Sequence, residues 1–180
     1  MQKSVVLQQK MYAVAKEAAL IVFSMLLIAF LGKISFFTPF SPIPLALRPQ
    51  LVILLAWMFG SRVAIGALIL FCAGVCSNVP FLVTTAAFSK TLFGPTFGYV
   101  FSYFVVAYLA PRMREREMGI TGSFMLLSLV IDLLGALGLS LYVGVAQGFT
   151  LGFFPFLIGD QLKAILFAKG RHFLAEQSAR

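Results

Sequence analysis

The chain predicts an all-α, polytopic membrane fold of six transmembrane helices with both termini in the cytoplasm. Three observations carry that prediction. Of its 180 residues, 61% are hydrophobic and only 11% charged, with mean hydropathy +0.99, a balance unsuited to a water-exposed surface. A helical span needs about 20 apolar residues, and the apolar runs divide into six candidate segments. The Lys and Arg residues are unevenly distributed between those segments.

The predicted spans are residues 11–32, 48–60, 61–78, 95–113, 120–146 and 153–175. The first has an apolar stretch from Ala18 to Leu31, followed by Gly32-Lys33-Ile34-Ser35 with no small-x-small cleavage pattern, so it reads as a retained span. The second is short, with Pro49 at a favoured helix-start position, and Gly60-Ser61-Arg62 makes a tight turn into the third. Gly94-Pro95 opens the fourth, and the fifth and sixth carry the ionisable residues Asp132, Asp160 and Lys163. No long polar segment lies between spans. The chain therefore reads as a single six-helix membrane domain, 1–180, without room for a soluble nucleotide-binding or catalytic domain. It has no internal repeat of the kind that marks inverted-repeat transporters.

Charge placement orients the spans. Lys3, Lys10, Lys16, Arg62, Arg112, Arg114, Arg116, Lys169, Arg171 and Arg180 fall on one side, against Lys33, Arg48 and Lys90 on the other. The positive-inside rule then puts both termini in the cytoplasm. The net charge of +8 is topogenic, and basic residues scattered over short loops argue against a nucleic-acid partner.

Asp160 and Lys163, three residues apart, share a helix face and are separated by roughly 4.5 Å along its axis. A charge in hydrocarbon costs at least ~2.5–3.5 kcal/mol, so intramembrane charges mark ligand or ion paths. The plainer reading is a neutralised pair that locks helix packing. Between Phe36 and Pro49 the first loop holds four prolines, which withhold backbone donors and bias their predecessors away from helix. That loop reads as a hairpin-like lid, with Arg48 either pointing into an outer cavity or snorkelling to the interface. Gly94-Pro-Thr-x-Gly98-Tyr99 supplies either an anion-attracting helix start or a helix-packing contact. Asp132 could pair with Lys163, line a pocket, or sit protonated between helices. Cys72 and Cys76, four apart on a helix, have unsuitable geometry for a disulfide.

Enzyme signatures are missing. The sequence holds neither His-Glu-x-x-His nor a Gly-x-Ser-x-Gly nucleophile turn, and one His with two helical cysteines makes no metal site. The polar groups instead suit a small, flat, amphipathic anion. Asp160 would accept from N–H donors of a urea or amide, while Lys163 and Arg48 would favour a carboxylate.

Gly94-Pro-Thr-x-Gly98-Tyr99 together with Pro155-Phe-Leu-x-Gly159-Asp160-x-x-Lys163 resembles the biotin-specific S component (BioY family) of energy-coupling factor transporters. Supporting strings are Ser41-Pro-Ile-Pro44 and Leu133-Leu-Gly135-Ala-Leu-Gly138-Leu139. The resemblance implies a multi-pass subunit of the bacterial cytoplasmic membrane that captures biotin on the outer side, with no cofactor and no catalysis of its own. It also implies partners, a transmembrane coupling subunit and cytoplasmic ATPases that drive import. Asp160 and Lys163 would bind substrate, with Asn78 and Tyr99 as further pocket members. An S component of the same fold for another vitamin-like molecule is the alternative. The charge bias makes the topology testable: a cysteine introduced in the 84–90 loop should react with an impermeant reagent from outside intact cells. One introduced at 114–118 should not, and its labelling would overturn the orientation.

Overall fold

The computed structural model describes residues 2–32, 34–38, 41–77 and 94–178. Within them the chain runs α1 (Gln2–Leu31), β1 (Ser35–Thr38), β2 (Ser41–Ala46), α2 (Arg48–Phe59), α3 (Ser61–Cys76), α4 (Phe97–Glu115), α5 (Ile120–Val143), α6 (Val145–Gly152) and α7 (Phe154–Ser178). Each of the six expected spans is a helix. Val5–Leu31, Ile120–Val143 and Val145–Arg171 are individually long and apolar enough to cross a membrane.

The boundaries differ where local chemistry outweighs apolarity. The first helix starts at Gln2 rather than residue 11, because the good helix formers Leu7, Gln8, Gln9 and Lys10 extend the coil beyond the hydrophobic run. The expected fifth span ends early at Gly144, whose φ of 85° breaks the helix and leaves α6 as a separate short element. Gly60, at φ 88°, makes the tight turn between α2 and α3.

The proline-rich first loop is a two-stranded antiparallel hairpin, with Ser35 opposite Ala46 and Phe36 opposite Leu45. Pro42 and Pro44 lie in β2 at alternate positions that face away from β1, where a strand tolerates a missing N–H, and the pairing is irregular between Phe36 and Thr38. A backbone bond from Leu47 to the Ile34 carbonyl, 3.3 Å, closes the base of the hairpin.

Helix α2 is the central post. Its residues are apolar on every side, and Leu51, Val52, Ile53, Leu55, Ala56 and Trp57 are all buried. It packs against α1, α3, α4, α5 and α7. Trp57 meets Phe124 of α5 edge-on at 5.7 Å. At its C-terminus Arg114 of α4 donates to the Trp57 carbonyl and, at 3.3 Å, to that of Met58, closing carbonyls the helix leaves open. Helix α4 itself ends on Glu117 at φ 54°, with Met118 N–H bonded to Met113 O and Glu117 N–H to Arg114 O, a Schellman termination without glycine.

The α4–α5 contact is the most extensive between helices. Glycines bring the two backbones together: a Cβ on Gly98 would lie 2.6 Å from the Leu134 carbonyl oxygen and 2.8 Å from the Gly138 Cα. Small residues permit this approach where dispersion is the main attraction between helices. Replacing Gly98 or Gly138 by Ala should lower stability in detergent by about 1–3 kcal/mol through overpacking. Gly122→Ala, where an added Cβ meets nothing within 4 Å, should leave the melting temperature unchanged.

Candidate functional site

Four buried polar residues, Gln50, Ser128, Asp132 and Asp160, gather where α7 packs on α5 and α2. Helix α7 follows a break at Phe153, so its first turns carry Pro155 and Gly159 before reaching Asp160. Asp160 is 3% exposed, and its Oδ1 forms an ion pair with the half-buried Lys163 one turn further on. The ammonium also donates to the Ala46 carbonyl at 3.0 Å, which ties α7 to β2. The ammonium is thereby shared between Asp160 and the hairpin.

Gln50 supports Asp160 from the central post. Fully buried in the first turn of α2, it donates from Nε2 to Ser128 Oγ of α5 at 3.1 Å and to the Asp160 backbone carbonyl at 3.2 Å. Its Oε1 is buried and has no hydrogen-bond partner among the described residues. One amide thus joins α2, α5 and α7 and keeps a spare acceptor.

Four residues beyond Ser128 on α5 lies Asp132, also fully buried. Its carboxyl faces that of Asp160 within hydrogen-bonding reach. Tyr103 of α4 is within electrostatic reach of both carboxyls and of Arg48.

The sequence-predicted residues thus fall into distinct settings. Asp160 and Lys163 meet as expected from their spacing, and Asp132 joins them. The Tyr99 hydroxyl donates to the Gly152 carbonyl at the α6–α7 break, and its ring stands edge-on to Phe156 at 6.2 Å. Gly98 packs on Gly138, and the amides of Phe97, Tyr99 and Val100 bond to Gly94 and Thr96 carbonyls. The Gly94–Tyr99 motif therefore builds a helix contact. Arg48 is buried at the foot of the hairpin, donating to the Gly32 carbonyl at 3.2 Å with its guanidinium 5.2 Å from the Phe71 ring centre. Asn78 and Lys90 lie outside the described residues.

Gln50, Ser128 and Tyr103 were not singled out from the sequence. Gln50 carried a signal, a lone amide directly before the run Leu51–Trp57. Ser128 could have been found only by its helical spacing of four from Asp132. Among the described residues no cluster of His, Cys, Asp and Glu could hold a metal ion, and Cys72 and Cys76 are free thiols.

A bundle of apolar helices with a buried acid–base pair, capped by a β-hairpin, is the architecture of an integral membrane protein. The comparisons make the class specific. The BioY family model matches residues 1–176, and the chain belongs to the BioY family. The "Probable biotin transporter BioY" of Pyrococcus horikoshii is 27% identical over 150 residues, 83% of this chain and 90% of that protein. The "Biotin transporter BioY" of Thermotoga maritima is 26% identical over 139 residues, covering 72% of this chain and 79% of the other. The crystal structure of the S-component for biotin from an ECF-type ABC transporter has the same fold, with TM-score 0.72 at 20% identity, over 94% of this chain and 93% of that one. The relatives named here are transporters, not enzymes.

The three-helix junction at Gln50 has a measurable worth. Gln50→Leu removes the hydrogen bonds to Ser128 and to the Asp160 carbonyl, and should reduce stability by about 1–3 kcal/mol, the sum for two buried bonds. Thermal unfolding of ligand-free protein in detergent measures it, and an unchanged melting temperature would mean that the amide does not tie the helices.

Proposed function

We propose that this chain is the biotin-binding S component of an ECF-type uptake transporter, a single membrane domain that captures biotin on the outer side of a bacterial cytoplasmic membrane. The observation that carries the reading is the Asp160–Lys163 pair, held beneath β2 in a member of the BioY family. A structural ion pair would be complete in itself. This one spends its ammonium partly on the hairpin backbone and leans on an amide, Gln50, whose buried Oε1 accepts from none of the described residues.

The chemistry matches the ligand class. The ureido head of biotin offers N–H donors to the Asp160 carboxylate and to Gln50 Oε1, and its carboxylate tail needs a cation, for which Lys163 and Arg48 are the candidates. Phe156 and Tyr99 supply apolar walls beside the site. Asn78 joins the binding residues on the family resemblance. No chemical step is assigned to the chain, and uptake against a gradient falls to a transmembrane coupling subunit and cytoplasmic ATPases. Both termini face the cytoplasm, following the charge bias of the loops.

Titration of the purified protein with biotin and with a panel of other vitamins tests the reading. Biotin should bind most tightly, and Asp160→Asn should weaken it by ~1.5–3 kcal/mol, the range for a hydrogen bond to a charged group. If the substitution lowers the melting temperature but spares affinity in the folded fraction, the pair is structural. A different preferred vitamin would keep the S-component role and replace biotin as the ligand.

A further inference from the structure

Among the described residues, Asp132 is the buried carboxyl group that the binding scheme above leaves unused. It is completely shielded from solvent, and neither carboxyl oxygen receives a hydrogen bond from any described residue. The helices packed around α5 are α2, α4, α6 and α7. From α7 come Asp160 and Lys163, and from α4 come Tyr99 and Tyr103. Arg48 of α2 lies towards Tyr103, and α6 carries no titratable side chain. The Tyr99 hydroxyl donates to Gly152, and the Lys163 ammonium is engaged by Asp160 and Ala46 and makes no hydrogen bond to Asp132.

Two features make this arrangement informative. As two carboxylates, Asp132 and Asp160 would present acceptor to acceptor, and Lys163 alone would leave a net negative charge in a dry interior. An unpaired buried charge costs several kcal/mol, whereas one shared proton removes the charge and creates a donor. Lys163 contacts Asp160 Oδ1 as an ion pair without the alignment of a hydrogen bond, so that fully buried oxygen still lacks an aligned donor.

We propose that Asp132 carries a proton at neutral pH and donates it to the Asp160 carboxylate, acting as a positioning residue that fixes the oxygen Asp160 turns towards the ligand. The proposal rests on the reading of Asp160 as a ligand-binding residue. It separates the two acids by role. Asp160 remains the charged acceptor, and Asp132 is a neutral donor that holds it in place. Raising the pH far enough to remove the proton sets two carboxylates against each other, so ligand binding weakens as pH rises.

The test compares wild type with Asp132→Asn and Asp132→Leu. Infrared spectra of the ligand-free protein at neutral pH should show a carboxylic C=O band in wild type that both variants lack. Biotin titrations should show Asp132→Asn, whose amide still donates, within a few-fold of wild type. Asp132→Leu, which cannot donate, should be weaker by about tenfold or more. Wild-type affinity should fall from neutral to alkaline pH more steeply than that of Asp132→Asn. The asparagine variant retains Lys163, Tyr99, Tyr103 and Arg48, so the difference between the two profiles belongs to Asp132. Absence of the infrared difference overturns the proposal even if no ligand binds or the leucine variant fails to fold. Equal losses in both variants, or parallel pH profiles, also overturn it by reducing Asp132 to a packing residue. Failure of every protein to bind biotin while the infrared difference is present counts against the proposed function and leaves the Asp132–Asp160 proton in place.

Discussion

Holding an ammonium and two carboxyl groups inside a bundle that excludes water costs several kcal/mol for each uncompensated charge, and the arrangement around α7 answers that cost from several directions. Lys163 neutralises Asp160, which lies one turn before it on the same helix. A further N–H of the lysine donates to the Ala46 carbonyl, in a strand that also contains two prolines. Gln50 reaches from α2 to the backbone of Asp160 and to Ser128. The Tyr99 hydroxyl takes up the Gly152 carbonyl at the break that lets α7 begin where it does. Removing any one of these leaves a buried polar group unpaired, so the helices that supply them are held in register by solvation as much as by shape.

The bilayer imposes a second condition, that backbone polar groups find partners within the protein. Non-helical chain is therefore tolerated where protein covers it. The hairpin meets this condition by pairing its own strands and by receiving Lys163 from below. Helix α2, only 12 residues long, is too short to span a hydrocarbon core of ~30 Å. Burial on every side resolves that shortfall. The Arg114 guanidinium satisfies carbonyls at one end, and Arg48 ties the other to the end of α1.

Much of this was legible in the sequence because its signals are local. Asp160 and Lys163 belong to one helix, and their spacing of three is enough to pair them. The Gly60-Ser61-Arg62 turn and the proline-rich hairpin follow from residues that punctuate backbone geometry wherever they occur. Gly98 was ambiguous for a physical reason: a glycine that lets a ligand approach and one that lets a helix approach look the same until Gly138 is seen opposite. Gln50 and Ser128 are 78 residues apart, and no periodicity relates them. Asp132 was recognisable as costly. Its neighbour could be found only from the packing of α5 on α7. Arg48 is the plainest lesson: nothing in its neighbouring residues indicated that Gly32 and Phe71 would receive it.

Helix α1 stands apart from this economy of buried groups. Over 30 residues it packs chiefly on α3 and, to a lesser degree, α2, and its first half displays Val5, Leu7, Met11, Tyr12 and Val14 to the surroundings. None of those side chains supports the polar cluster or the α4–α5 glycine contact. Substitutions there carry little internal penalty, because their packing partners lie outside the chain. The fit of that face is thus set by what surrounds the chain and not by its own core. A change of lipid or of a neighbouring protein would therefore act on α1 through these side chains, none of which is part of the polar cluster around Asp160.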